Sequence, residues 1–165
     1  MTMPPTVGQE MVAMLPRLRR YALALCRSAT QADDLVQAAC VRALANAASW
    51  TPGTRFDAWM FRILRNHWID GLRRSRTEGP TEDVEEHTSL VGENGEARVM
   101  EKLVLGDVRR AIEALPAEQR DVLMLVCVEE MSYQETADIL GVPIGTVMSR
   151  LSRARKRIQD LTDAA

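Results

Sequence analysis

Apolar residues recur along this chain at three- and four-residue intervals, and over no length do they alternate with polar ones. That period belongs to helices with one buried side. Over residues 7–25, Met11, Met14, Leu15, Leu18 and Leu25 fall on the inward side. A second helix is predicted from about 31 to 48, capped by Thr30. Its apolar face is Leu35, Val36, Ala39, Ala43 and Leu44, and Asp33 and Asp34 suit the positive dipole of its first turn. Trp50-Thr-Pro-Gly-Thr54 is rich in turn residues and breaks the pattern. A third helix runs from Arg55 or Phe56 to Arg74, with Phe56, Trp59, Met60, Ile63 and Leu64 on one broad side. Arg62, Arg65, Asn66, Ile69 and Arg73 share the other side. A basic stripe beside aromatics is the composition expected where a helix meets DNA or single strands.

From 75 to about 95 the periodicity stops, and Gly, Pro, Thr, Glu and Asp dominate, as in a mobile linker. Helical spacing resumes over 97–114 with Val99, Leu103, Val104, Val108 and Ile112. Leu115-Pro116 punctuates it, and another helix is expected over 117–128. Residues 131–157 then read as two short helices joined by a tight turn. Ser132 can cap the first, with Glu135 three residues on to complete a capping box. Ala137 allows close approach, Gly141 suits a left-handed helix end, and Pro143 blocks continuation. With Val147 and Leu151 turned inward, Thr146, Ser149, Arg150 and Arg153 face outward. This is how a helix-turn-helix presents side chains to the major groove, where arginine pairs bidentately with guanine. An amphipathic pair with a solvated basic face has the same pattern. The fold class is all-α: two small helical domains joined by a flexible acidic linker.

Net charge changes the picture only once it is divided. The 165 residues sum to −2, which does not mark a nucleic-acid binder. Residues 1–76, however, hold eleven Arg and five acids, whereas 77–100 hold one Arg and seven acids. Residues 149–157 carry five cations and no acid. Local basic surfaces therefore flank an acidic connector, and local field governs DNA binding. Cys26, Cys40 and Cys127 are too few and scattered for a disulfide framework and read as buried thiols in a reducing cytosol. His67 and His87 are isolated, so no metal site or cofactor is expected. Without a phosphate loop or nucleophilic constellation, an enzyme is the weakest class. No signal peptide or membrane span is apparent, so a soluble, cytoplasmic protein without membrane insertion is expected.

Five segments, in order, resemble the extracytoplasmic-function group of bacterial sigma-70-type sigma factors. They are Ala32-Asp-Asp-Leu-Val-Gln37, residues 56–66, Ile69-Asp70 with Leu72-Arg-Arg74, Leu115-Pro116 with Gln119-Arg120, and the helix-turn-helix. The resemblance implies a non-catalytic subunit that gives core RNA polymerase promoter specificity. Residues 8–76 would be sigma region 2, 77–97 the linker, and 98–163 sigma region 4. By the same resemblance, Asp33, Asp34, Leu35 and Gln37 would dock on the polymerase clamp. Trp50 to Arg55 would form the loop that cups a base flipped from the −10 element. Trp50 either stacks there or is a core edge. Asn66 would lie near the −10 bases, and Arg62, Arg65, Arg73 and Arg74 would hold phosphates. Thr146, Ser149, Arg150 and Arg153 would contact the −35 element, while Arg155, Lys156 and Arg157 would touch phosphate or stay solvated. Met148 stands where the family often has lysine. The linker would enter the RNA-exit path or serve as a plain tether. An anti-sigma factor would hold the protein inactive. Two other readings stay open: a sigma mimic that titrates the inhibitor, and a stand-alone helix-turn-helix repressor.

Overall fold

The computed structural model describes residues 6–77 and 99–163, with side chains from 106 onward in the second stretch. The expected linker lies almost wholly outside the described residues. Seven α-helices occur among the described residues, which contain no strand: α1 Val7–Cys26, α2 Ala29–Ala45, α3 Phe56–Thr77, α4 Val99–Glu113, α5 Ala117–Leu123, α6 Tyr133–Leu140 and α7 Ile144–Asp163. They divide into two compact units. The first holds α1–α3, together with residues 138–141 at the end of α6, and the second holds the other helices.

In the first unit the three helices pack on one another pairwise. Alanines 32, 39 and 43 of α2 are completely buried, and their small size brings α1 and α3 close. Leu18, Tyr21, Met60, Phe61 and Leu64 fill the space between, each with no exposed surface. Tyr21 meets Phe61 edge-on at 5.4 Å. The Arg17 guanidinium lies 5.3 Å from the Phe61 ring centre and 3.3 Å from the Asp57 carboxylate.

The start of α2 differs from expectation. Ser28, not Thr30, is the N-cap, its hydroxyl accepting the Gln31 N–H at 3.3 Å. Asp33 and Asp34 therefore lie beyond the first turn, where the dipole has faded, and Asp33 instead pairs with Arg19 at 2.9 Å. The helix ends at Ala45, and a single tight turn covers Ala47–Ser49. Leu15 and Leu44, expected inside, are exposed: the buried face of α1 is filled by Met11, Met14, Leu18, Tyr21 and Ala22, and that of α2 by Ala32, Leu35, Ala39 and Ala43.

In the second unit α4 and α5 both pack on α7. Val122, Leu125, Val147, Leu151 and Ala154 form its dry centre. Arg120 is also buried, and its Nη1 donates to the Leu115 carbonyl at 3.0 Å and the Glu113 carbonyl at 3.4 Å. It thereby satisfies acceptors that the end of α4 leaves open. Residues 124–128 continue α5 as a wider, π-type turn, in which the Glu129 N–H reaches the Met124 carbonyl at 2.9 Å. Glu130 then takes a left-handed conformation at φ 58° and ends the segment.

The thiols depart from the buried reading. Cys26 and Cys40 are half-buried and Cys127 is exposed. Burial pushes the Cys26 thiol up to about 12 and raises Cys40 as well, so both stay protonated at neutral pH.

Candidate nucleic-acid interface

Local chemistry builds the α6–α7 pair. The Ser132 hydroxyl accepts the Glu135 N–H at 3.0 Å, and the Glu135 carboxylate accepts the Ser132 N–H at 2.9 Å. This closes the expected capping box. At the other end Gly141 adopts φ 67°, and the Val142 N–H reaches back to the Ala137 carbonyl at 3.1 Å. That bond satisfies an orphan carbonyl in the manner of a Schellman stop. The Pro143 carbonyl then accepts from Thr146 and Val147, opening α7 immediately after the turn.

Burial of Val147, Leu151 and Ala154 fixes how α7 is rotated. Ser149, Arg153, Lys156 and Arg157 are exposed, and Thr146 is half-buried. The Ser149 hydroxyl donates to the Thr146 carbonyl at 3.2 Å, so its lone pairs still face solvent. Arg150 departs from its expected outward place: its side chain is 22% exposed and its Nη2 lies 3.9 Å from the Glu118 carboxylate. Arg155 is exposed, and the neighbouring Cys127 and then Tyr133 raise its pKa above the ordinary arginine value. The uncovered residues of α7 thus include hydroxyls and guanidiniums opposite the buried stripe and two apolar side chains, Ile144 and Met148, along its edge.

In the first unit the stripe on α3 forms opposite its buried side. Arg62, Asn66 and Arg73 are exposed, and Arg65 and Ile69 are half-buried. Arg74 lies about 100° further round the helix than Arg73. There it acts electrostatically on His67, as do Arg42 and Asp70. Burial is the first cause of the lowered His67 pKa, and the Arg42 and Arg74 charges add to it against Asp70.

Arg55 grips Asp57 with two hydrogen bonds, Nε to Oδ1 at 3.1 Å and Nη2 to Oδ2 at 2.8 Å. An arginine expected to reach DNA is therefore tied to the first turn of α3. Trp50 meets Phe56 edge-on at 5.2 Å, and Phe56 meets Trp59 at 5.6 Å, so Trp50 forms one edge of an aromatic cluster. Its indole Nε1 is buried without a hydrogen-bond partner.

On α2, Asp33, Asp34 and Gln37 are exposed, but Leu35 is only 5% exposed and belongs to the core. Residues 33, 37, 41 and 44 instead form one exposed helical stripe, with Val41 64% and Leu44 53% uncovered. Sequence reasoning missed both apolar members. The signal available was helical spacing: Val41 lies four residues after Gln37, itself four after Asp33, and Leu44 lies three after Val41.

No described helix is long and apolar enough to cross a membrane. Among the described residues no three His, Cys, Asp or Glu side chains gather as metal ligands.

Two family descriptions match the chain: Sigma-70 region 2 over residues 11–78 and Sigma-70, region 4 over residues 105–158. The ECF RNA polymerase sigma factor EcfG of Rhodopseudomonas palustris (strain TIE-1) is 36% identical over 161 residues, 98% of this chain and 87% of that protein. RNA polymerase sigma factor HrpL of Pseudomonas syringae pv. syringae is 32% identical, with 95% of this chain and 87% of that protein covered. Among solved structures, the sigma factor RpoE of Bartonella quintana, in complex with the anti-sigma factor NepR, matches with a TM-score of 0.74 and 34% identity. That match covers 94% of this chain and 96% of the other. With both sigma-70 regions present in order and a relative at 36% identity along nearly the whole chain, the protein belongs to the ECF group of sigma-70-type RNA polymerase sigma factors.

Proposed function

We propose that this protein is an alternative sigma factor that binds core RNA polymerase and directs it to a defined set of promoters. The observation that carries this reading is the pairing, on one chain, of the arginine stripe of α3 with the helix-turn-helix of α6 and α7. Residues 8–76 serve as region 2, 98–163 as region 4, and 77–97 as the acidic connector. In region 2 the exposed stripe of α2, Asp33, Asp34 and Gln37 with Val41 and Leu44, docks on the polymerase clamp. Leu35 supports that helix from the core side. Arg62, Arg65, Asn66 and Arg73 meet the −10 element, Asn66 reading a base edge and the arginines holding phosphates. Trp50 and Arg55 shape the adjoining loop, while Arg74 adds positive field from the side of α3.

In region 4, Thr146, Ser149 and Arg153 read the −35 element, with Arg150 set at its edge. Arg155, Lys156 and Arg157 supply phosphate affinity. The protein acts in the cytoplasm, performs no catalysis of its own, and is restrained by an anti-sigma factor, as RpoE of Bartonella quintana is bound by NepR.

The test is transcription. Purified protein added to core polymerase should produce discrete new start sites in a genome-wide run-off reaction. Absence of any specific start sinks the proposal. Site-specific DNA binding by the protein without polymerase, and no co-elution with core polymerase on gel filtration, would reassign it as a repressor.

A further inference from the structure

Two large apolar side chains stand in solvent on the helix proposed to read DNA. Ile144 and Met148 are 43% and 51% exposed and lie one turn apart on the same side of α7. The core does not need them, because Val147, Leu151 and Ala154 already fill the buried face. A single exposed apolar residue is ordinary. These two occupy the opening turns of α7, the part of a recognition helix that approaches base edges.

Their surroundings narrow what they can touch. Residues 149–157 bring five cations and no acid, so the same helix is attracted to phosphates. Gly145 lies between the pair, and even an added Cβ there would meet nothing within 4 Å, so the backbone is open to close approach. In the major groove the apolar group on offer is the thymine C5 methyl. Pressed on phosphate or on a polar base edge, the two side chains would strip water without replacing its hydrogen bonds. Methionine, unbranched and polarizable, can adapt to a small methyl target.

We infer that Ile144 and Met148 form an apolar reader of thymine in the −35 element, Met148 touching the C5 methyl and Ile144 backing it. The inference rests on the sigma-factor reading and adds a specificity determinant to the hydroxyls and guanidiniums of α7. It also fixes the sign of a substitution: lysine at 148 would exchange base preference for uniform phosphate affinity.

The test uses the full chain with core polymerase. Wild-type holoenzyme first selects a −35 sequence from duplexes randomised at that element. Each thymine of the selected element, on either strand, is then replaced singly by deoxyuracil, which removes the methyl and leaves base pairing intact. One replacement should weaken holoenzyme binding about threefold to tenfold. Met148→Ala should bind the thymine and uracil duplexes alike, and Met148→Leu should restore most of the discrimination. Three outcomes overturn the thymine contact while the sigma-factor reading stands: a selected element without an A·T pair, a flat uracil scan, or a uracil penalty unchanged in both Met148→Ala and Ile144→Ala. Failure of wild-type holoenzyme to select any −35 sequence overturns both.

Discussion

Asp57 is the point at which two cations of the first unit converge. Burial alone would raise its carboxyl, but the Arg55 hydrogen bonds, the Ala58 N–H and the charges of Arg55 and Arg17 outweigh that and hold it below its ordinary value. A carboxyl depressed on folding adds stability that is complete above its unfolded value and is lost as pH falls through its lower folded value. Asp57→Asn should therefore lower the Tm at neutral pH, and the gap from wild type should close as the pH falls through the lowered folded-state value. Thermal melts from neutral to strongly acidic buffer check this, and a gap that persists in acid would assign Asp57 a role independent of its charge. Arg120 raises a different issue, since its buried guanidinium serves the carbonyls of Leu115 and Glu113. Arg120→Met keeps most of the stem and removes the donors. It should cost about 1–3 kcal/mol in urea unfolding, the penalty for leaving buried carbonyls unpaired. An unchanged midpoint would mean that water takes the place of the guanidinium.

At the scale of elements, a helix end was legible wherever one short stretch held all its chemistry. The α6–α7 turn was, because Ser132, Glu135, Gly141 and Pro143 act on their immediate neighbours. The start of α2 was not. Ser28 and Thr30 are both competent caps, and the choice follows from the stop of α1 at Arg27, a non-glycine residue at φ 59°. Burial was harder still, since periodicity says that a side is apolar but not which partner lies against it. Hence Leu35 sits in the core while Val41 and Leu44 face outward. The partial covering of Arg150 was not legible for a related reason: its partner Glu118 is on another helix, 32 positions away. Two glycines test the backbone reading. Gly141→Ala forces a Cβ into a left-handed stop and should destabilise by about 1–2 kcal/mol. Gly71 sits exposed within α3 with open space around it, so Gly71→Ala should stabilise by about 0.5–1 kcal/mol. Chemical denaturation of the two variants should give shifts of opposite sign, and equal signs would contradict one of the two conformations.

For the whole molecule, a net charge of −2 conceals a division that bears on how the protein finds DNA. The family resemblance was legible because its segments run in order along the chain, whereas the overall charge pointed away from nucleic acid. Residues 1–76 carry +6 and residues 77–100 carry −6. The acidic stretch therefore offsets the field that region 2 would otherwise project onto any duplex. This favours a protein that binds weakly to bulk DNA by itself and gains its grip through polymerase. Replacing the seven acids of 77–100 by their amides would take the net charge from −2 to +5. The isolated variant should then bind a random-sequence duplex at least about tenfold more tightly than wild type at low salt. Near 1 M salt, where the screening length falls to about 3 Å, the difference should vanish. Fluorescence anisotropy across a salt series measures both limits. A gain that survives high salt would show that the acids act through a specific contact, and no gain at any salt would show that they do not shield region 2.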